Sequence, residues 1–319
     1  MTFETTRTDR VPLGRTGLEV SRICVGTAAW GLASPLHGIV VEEEEAAATL
    51  RTALGSSVNF VDTSNNYGDG ESERRIGRAL ETADVPPDFV LQTKLDRDPE
   101  TGTFEAGRMR RSLDESLGRL KLSRVPMLYL HDPENISFDE AMAPGGPVET
   151  LISLRDEGYA DNIGIAGGPA SLLKRFVSTG IFDALVTHNR FTLVDRTADE
   201  LISTAADAGL GVINAAIYGG GILSTWPRTS NSYHYREAPR AVLDAIDAMG
   251  AACARHGVPL IAVALQSSTR DERIDSTICG MVTPAQVRDT LKHVNLAIPD
   301  ELWEELDQLR PERSTWIND

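Results

Sequence analysis

The sequence has few cysteines, no long apolar run and a polar N-terminal stretch. Its three cysteines, Cys24, Cys253 and Cys279, lie far apart. This spacing excludes a disulfide framework or a zinc-ligand set and predicts a reducing, cytoplasmic location. No apolar run approaches the ~18 residues that cross a bilayer. Residues 1–10 lack the apolar core of a signal peptide, so we expect no secretion signal there.

The shortage of positive charge limits the partners that the chain can bind. With 31 Lys and Arg against 47 Asp and Glu, the 319 residues carry a formal net charge of −16. Nucleic-acid-binding surfaces and contacts with anionic lipid both need clustered positive charge, so we expect neither a nucleic acid nor a membrane as partner. An anionic cofactor is still allowed, because backbone N–H groups and helix N-termini bind phosphate.

Eight short apolar runs recur along the chain and predict buried parallel strands. The runs are 23–27, 58–61, 89–93, 125–130, 162–166, 184–187, 211–215 and 276–279. Between them lie stretches with the apolar period or the first-turn proline of a helix. These stretches are 42–54, 71–81, 104–120, 147–157, 169–178, 196–208, 239–256 and 284–294, with an extra C-terminal helix at 299–309.

This alternation predicts an α/β chain folded as a (β/α)8 TIM barrel. The rival fold is a doubly wound sheet, which would carry G-x-G-x-x-G after an early strand to bind a dinucleotide. No such pattern occurs, because Gly219-Gly220-Gly221 comes too late and lacks the final glycine. No linker, low-complexity tract or internal repeat divides the chain, so we expect one domain over residues 1–319.

Polar side chains follow three consecutive predicted strands. Asp62, Lys94 and His131 end the second, third and fourth runs, and the loop after Asp62 adds Tyr67. Taken singly, each has an ordinary alternative such as a helix cap, a packing residue or a structural hydrogen bond. Because the active site of such a barrel is built at the C-terminal ends of its strands, we expect the four side chains to meet at one rim.

These four residue types together favour proton transfer. Tyrosine titrates at about 10, which is too high for an efficient base at neutral pH. A neighbouring Lys94 would lower the pKa of Tyr67, and Asp62 would keep Lys94 charged. His131 would hydrogen-bond the substrate oxygen. With neither a nucleophile nor a metal-ligand set, we expect no metal, and the group suits alcohol oxidation or carbonyl reduction with hydride from a cofactor.

Four segments resemble the aldo-keto reductase superfamily. They are PLGRTGLEVS at 12–21 followed by Val25-Gly26-Thr27, Phe60-Val61-Asp62-Thr63 with Tyr67-Gly68, Gln92-Thr93-Lys94, and Leu128-Tyr129-Leu130-His131. The resemblance covers nearly the whole chain. It implies a (β/α)8 barrel with an N-terminal β-hairpin, and catalysis by Tyr67, Lys94, Asp62 and His131. It also implies a nicotinamide dinucleotide cofactor, NAD or NADP, bound without a Rossmann domain.

The resemblance further implies which residues bind that cofactor. They are Gly26, Thr27, Asp62, His188, Asn189, Tyr218, Gly219, Gly220, Gly221, Leu223, Gly280, Met281, Val282, Thr283, Gln286, Asp289 and Thr290. Tyr218 would stack on the nicotinamide, and the three glycines would let backbone approach the pyrophosphate. Many members have Ser-Asn at the end of the fifth strand; Ala166 and Gly167 stand here, so those side-chain contacts are lost.

The stretch after the eighth strand favours NAD over NADP. Relatives that prefer NADP typically carry Pro-Lys-Ser and a later Arg to grip the 2′-phosphate. This chain has Gly280, Met281 and Gln286 at the matching positions. A doubly charged phosphate without a basic partner is poorly held. The alternative is that Arg288 swings in and allows NADP use.

Segments 189–193 and 214–223 resemble aldose 1-dehydrogenases, a subgroup acting on D-threo-aldoses such as L-fucose and on L-galactose, with a related pyridoxal 4-dehydrogenase. The resemblance implies oxidation of a sugar at C1 to its lactone, with Tyr67 removing the hydroxyl proton. The expected substrate-binding residues are Trp30, His37, Tyr67, His131, Trp226 and Tyr233. The long loop after the seventh strand, to about residue 237, is predicted to be a lid.

Other readings are open. Within enzymes, the alternatives are a pyridoxal 4-dehydrogenase or a generic aldehyde or ketone reductase of the same superfamily. From a different class, the chain could be a non-catalytic cofactor-binding subunit, although the intact set of four polar residues argues against this. The expected partner is a small sugar or aldehyde, and the sequence allows either a monomer or a homo-oligomer.

Overall fold

The computed structural model describes residues 10–31 and 40–317 of the chain. The strands there are β1 (Arg10–Pro12), β2 (Glu19–Ser21), β3 (Ile23–Gly26), β4 (Phe60–Asp62), β5 (Val90–Leu95), β6 (Val125–His131), β7 (Ala160–Gly167), β8 (Ala184–His188), β9 (Gly211–Ala215), β10 (Ser232–Tyr233), β11 (Arg236–Glu237) and β12 (Ser276–Gly280). Strands β3 to β9 and β12 form a closed parallel barrel in which β12 lies between β9 and β3. The predicted (β/α)8 barrel is therefore confirmed.

The helices of the described part surround the barrel. They are α1 (Glu43–Leu54), α2 (Glu71–Leu80), α3 (Ala106–Leu120), α4 (Phe138–Met142), α5 (Pro147–Asp156), α6 (Ala170–Val177), α7 (Asp199–Asp207), α8 (Arg240–Arg255), α9 (Leu260–Thr269), α10 (Pro284–Val294) and α11 (Asp300–Gln308). The sequence pattern missed α4 and α9. Helix α9 is buried on nearly all sides, so its residues show no polar face and no helical period.

The N-terminal hairpin β1–β2 closes the bottom of the barrel. Leu13, between its two strands, is fully buried, and a Cβ on Gly211 at the start of β9 would lie 2.6 Å from the Leu13 Cγ. The Arg15 N–H donates to the Gly209 carbonyl at 2.9 Å. Because this hairpin covers the N-terminal ends of the strands, their C-terminal ends are left to form a site.

The apolar core lies between the barrel and its helices, with a second layer inside the barrel. Phe60, Met127 and Tyr129 are among the buried residues of the inner layer. The cysteines Cys24, Cys253 and Cys279 are buried and free. Within residues 10–31 and 40–317 no single helix has the length and apolarity to cross a bilayer; α8 and α9 reach them only as a pair bent by 103°.

Candidate active site

The four polar residues predicted at the strand ends meet at the C-terminal rim of the barrel. Asp62 ends β4, Lys94 lies in β5 and His131 ends β6. Lys94 Nζ donates to Asp62 Oδ1 at 2.7 Å and to the Tyr67 hydroxyl at 3.2 Å. The rings of Tyr67 and His131 lie edge to face with their centroids 5.9 Å apart. The barrel therefore brings a phenol, an ammonium, a carboxylate and an imidazole into one group.

Lys94 is the centre of this group. Its ammonium has three hydrogens, and it donates to the Thr63 carbonyl at 2.7 Å as well as to Asp62 and Tyr67. Burial alone would lower the pKa of Lys94, but the charge of Asp62 and the neighbouring Tyr67 raise it above its usual value. Lys94 is therefore held as a cation in one orientation.

Tyr67 does not have the depressed pKa that the sequence suggested. Burial raises the pKa of Tyr67 well above its usual value of 10.0, and the opposing effect of Lys94 is smaller. The expectation that the pKa of Tyr67 is lowered is wrong for this structure. Burial destabilises the phenolate by more than the neighbouring Lys94 stabilises it. At neutral pH the hydroxyl is protonated, so Tyr67 can donate a hydrogen bond or a proton.

The loop that carries Tyr67 is held on both sides. Asn65 Oδ1 accepts a hydrogen bond at 2.8 Å from Arg108 Nη2 of α3. Gly68 has a φ of +58°, and a Cβ there would lie 2.2 Å from the Gly31 Cα. Only glycine tolerates both this conformation and this close backbone approach. Tyr67 therefore lies in the loop between Asn65 and Gly68, two residues whose positions are fixed.

His131 is held by a carboxylate that the sequence reasoning missed. Its Nδ1 lies 2.6 Å from Asp96 Oδ1 and 3.1 Å from Ser64 Oγ, and its Nε2 lies 3.5 Å from Asp132 Oδ1. Burial would lower the pKa of His131, but Asp132 and Asp96 raise it above its usual value. The signal was present: alternate residues of a strand share a face, so Asp96 follows Lys94 on the same side.

Acidic and imidazole side chains form the rim beside His131. Side-chain atoms of Asp132, Glu134 and His188 lie within 4.8 Å of one another. Burial lowers the pKa of His188 to about 4, with Asp132 opposing the shift, so its imidazole is neutral at pH 7. Asn189 Nδ2 lies 3.1 Å from His188 Nδ1. The Asn189 side chain is buried, and its Oδ1 has no hydrogen-bond partner.

Gly220 and Gly221, in the loop after β9, form an open stretch of backbone. Gly219, Gly220 and Gly221 have φ of 59°, 80° and 100°. A Cβ on Gly220 or Gly221 would meet no heavy atom nearer than 4.0 Å. Tyr218, just before them, is partly buried and packs against the two apolar clusters on either side. This geometry leaves room for an extended ligand against the backbone.

Other residues expected at the cofactor have side chains that serve the fold. Thr27, Leu223, Met281 and Thr290 are buried and pack within the protein. The Thr27 hydroxyl donates to the Asp62 carbonyl at 2.7 Å. Gly26 ends β3, where a Cβ would lie 2.7 Å from the Ile278 Cγ2.

The start of α10 is stabilised by its own residues. The Thr283 hydroxyl accepts from the Gln286 N–H at 3.2 Å, and Gln286 Oε1 accepts from the Val282 N–H at 2.7 Å. Asp289 pairs with Lys292 at 3.1 Å. A Cβ on Gly280 would meet nothing within 4 Å. Space is therefore open at Gly280, and the side chain of Gln286 is drawn back onto the loop.

The expected substrate wall is only partly present. Trp30 is fully buried and its indole N–H donates to the Met281 carbonyl at 2.7 Å, so it packs one loop against another. Trp226 packs on Gly250 of the outer helix α8, where an added Cβ would lie 2.0 Å from its Cδ1. Trp30 is a correction, since its side chain has no exposed surface for a substrate; Trp226 is 38% exposed, and its place in the substrate wall stays a prediction. His37 lies outside the described residues.

The loop after β9 folds back over the rim. The Tyr233 side chain is buried, and its hydroxyl donates to the Asn189 carbonyl at 2.9 Å and lies 2.9 Å from Thr192 Oγ1. A Cβ on Gly219 would lie 2.4 Å from the Tyr233 ring. Tyr233 thus fastens the loop between β8 and the glycines instead of facing a substrate.

Comparisons with known proteins give a consistent set of likenesses. The aldo/keto reductase family model matches residues 22–311. D-threo-aldose 1-dehydrogenase from Pseudomonas sp is 31% identical over 320 residues, covering 89% of this chain and 96% of that protein. L-galactose dehydrogenase from Arabidopsis thaliana is 33% identical over 288 residues, which cover 88% of this chain and 86% of that protein. A solved aldo-keto reductase structure from Pseudomonas aeruginosa has a TM-score of 0.68 at 20% identity. The match covers 92% of this chain and 96% of that one, and it shows the shared fold.

Proposed function

The chain belongs to the aldo/keto reductase family of oxidoreductases, and from that premise we propose that it is an NAD-dependent dehydrogenase which oxidises an aldose at C1 to its lactone. The observation that carries the proposal is the contact of Lys94 Nζ with both Asp62 Oδ1 and the Tyr67 hydroxyl. That arrangement supplies a proton carrier, and it lies in a chain about a third identical to two sugar dehydrogenases.

The residues present fit a nicotinamide dinucleotide. The unpartnered Asn189 Oδ1 is a buried acceptor, which suits the carboxamide N–H₂ group of a nicotinamide. Neutral His188 beside it adds no charge that would oppose a positive ring. The open backbone at Gly220 and Gly221 suits a pyrophosphate. When bound, the cofactor takes up or supplies the hydride.

NAD is proposed in preference to NADP because the expected phosphate grip is missing. Gly280 carries no side chain, and the side-chain oxygen of Gln286 is bound to the Val282 N–H. Arg288, on the exposed side of α10, is the cation nearest in sequence to these positions. A 2′-phosphate would therefore lack the paired charge that holds it.

The proton is handled by Tyr67 and Lys94. In oxidation, Tyr67 has to be deprotonated before it accepts the hydroxyl proton of the sugar, and Lys94 stabilises the phenolate at that moment. In reduction, the protonated Tyr67 donates to the carbonyl oxygen. His131 binds the same oxygen through Nε2, since its Nδ1 is engaged by Asp96. Buried Asp62 keeps Lys94 charged and aimed.

The rim supports a neutral, polyhydroxylated substrate. Asp132 lies 3.5 Å from His131 Nε2, and Glu134 lies beside it. Carboxylates accept hydrogen bonds from hydroxyl groups and repel anions. A sugar without a phosphate or carboxylate therefore suits this rim better than an anionic one.

A substrate panel tests the proposal. Purified protein is assayed for NADH formation from NAD with L-fucose, D-arabinose, L-galactose and pyridoxal. We expect turnover with at least one of the sugars and the lactone as product. Activity on pyridoxal alone would favour the alternative enzyme. Absent turnover on every compound, with NADH binding intact, would instead indicate a non-catalytic cofactor-binding subunit.

A further inference from the structure

We propose that Asp96 is a positioning residue, which fixes the tautomer and the ring orientation of His131 so that Nε2 faces the substrate oxygen. The inference rests on the proposed function, because it concerns the histidine that binds that oxygen. Asp96 follows β5 directly, and its side chain is 3% exposed. Asp96 and His131 therefore both lie at the C-terminal rim, at the ends of the neighbouring strands β5 and β6.

The contact between the two side chains assigns the hydrogen. Asp96 Oδ1 lies 2.6 Å from His131 Nδ1. The His131 charge lowers the pKa of Asp96 in spite of burial, which raises it, so Asp96 is a carboxylate. An ionised carboxylate only accepts, so the hydrogen of this bond is on Nδ1. Nε2 is then the ring nitrogen that can contact a substrate at the rim.

The carboxylate is itself immobilised through its other oxygen. Asp96 Oδ2 accepts from the Ser64 hydroxyl at 2.5 Å and from the Asn66 N–H at 3.0 Å. Arg108 Nε donates to the Asp96 carbonyl at 3.0 Å. The two oxygens thus have separate tasks: Oδ2 holds the loop that leads to Tyr67, and Oδ1 holds the ring of His131.

Several titratable groups face His131, and Asp96 is the most buried carboxylate among them. The groups are Asp96 and Lys94 from β5, Tyr67 from the loop after β4, Asp132 and Glu134 after β6, and His188 at the end of β8. The side chain of Asp132 is 40% exposed, against 3% for Asp96. The charge of Asp132 also raises the His131 pKa, but Asp96 contributes both a charge and a hydrogen bond. Because water screens Asp132, we expect Asp96 to contribute more to holding a proton on His131.

The first test needs no substrate. The chain has six histidines, and ¹⁵N NMR of the full-length protein distinguishes protonated from unprotonated ring nitrogens. Loss of one set of signals in His131→Gln assigns His131. At every pH at which the protein is folded, we expect a protonated Nδ1. A neutral ring that carries its hydrogen on Nε2 would overturn the inference, even if no sugar is turned over.

The second test separates positioning of His131 from the general effect of changing a buried carboxylate. In Asp96→Asn, we expect the NMR pKa of His131 to fall by about one or more, because a buried negative charge is removed. We also expect kcat to fall about 10- to 100-fold, with Asp96→Glu restoring part of it. The control Asp195→Asn changes another buried carboxylate, whose oxygens accept from the Thr197 and Ile317 N–H groups. An unchanged His131 pKa in Asp96→Asn, or an equal change in Asp195→Asn, would refute the assignment.

The two proposals fail differently. If the wild-type protein oxidises no sugar but the NMR results are as expected, the proposed function fails and Asp96 still positions His131. If sugars are oxidised and Asp96→Asn alters neither the titration nor kcat, the positioning role fails and the dehydrogenase stands.

Discussion

Lys94 Nζ lies 2.7 Å from Asp62 Oδ1, and neither side chain is more than 3% exposed. Gln92 Nε2 donates to the same oxygen at 2.7 Å. Two opposite charges are therefore buried together at the bottom of the rim. Removing one member of such a pair leaves the other without compensation in a place that water does not reach.

Asp62→Asn is expected to lower the free energy of unfolding by about 3–5 kcal/mol, because the buried Lys94 ammonium would lose its opposite charge. Urea denaturation followed by circular dichroism measures this change. Asp244→Asn is the matched control, since Asp244 pairs with Arg240 on the surface of α8 with side chains 56% and 83% exposed. That control should lose less than about 1 kcal/mol. Equal losses in both variants would contradict the buried pair.

Tyr67→Phe is expected to lower turnover by about 10²–10⁴-fold, because the variant has no hydroxyl to exchange a proton with the substrate. NADH affinity, measured by fluorescence titration, should stay close to that of the wild type. Tyr159→Phe is the control, since Tyr159 is 38% exposed and lies outside the rim. A Tyr67→Phe variant with more than about a tenth of the wild-type rate would exclude the assigned role.

Cofactor preference is tested by restoring the missing charges. The wild type should have a higher kcat/KM with NAD than with NADP. A charge-assisted hydrogen bond contributes about 1.5–3 kcal/mol, so Gly280→Lys combined with Gln286→Arg should raise relative NADP efficiency by about ten- to a hundredfold. The Arg288→Ala variant is measured in the same assay, with NAD and with NADP. A wild-type preference for NADP that Arg288→Ala removes would show that Arg288 grips the phosphate instead.

The raised pKa of Tyr67 predicts an alkaline rise in sugar oxidation. The phenol is protonated at neutral pH because burial lifts its pKa above the usual value. Oxidation needs the deprotonated form, whose fraction increases about tenfold per pH unit below the pKa. We expect kcat/KM for oxidation to climb from about pH 7 to pH 10, while aldehyde reduction by NADH, which uses the protonated form, does not. A plateau for oxidation near neutral pH would contradict this.

Much of the barrel and the four-residue group could be predicted from sequence. Short apolar runs, amphipathic stretches and first-turn prolines are local patterns, and they located the eight strands of the barrel and most helices. Asp62, Lys94 and His131 were predicted together because neighbouring parallel strands end at one rim. Helix α9 was missed, since a helix buried on nearly all sides has lost the polar face that reveals its period.

The tertiary structure decided what no local pattern contains. It paired Asp96 with His131, although they are 35 positions apart in the chain. It buried Trp30 against Met281, where the sequence suggested part of a substrate wall. It also reversed the expected direction of the Tyr67 pKa. Order along the chain determines which residues end each strand. Closure of the barrel determines how far apart side chains on different strands lie and how much water reaches them. These two factors decide which side chains make contact and which titratable groups are charged.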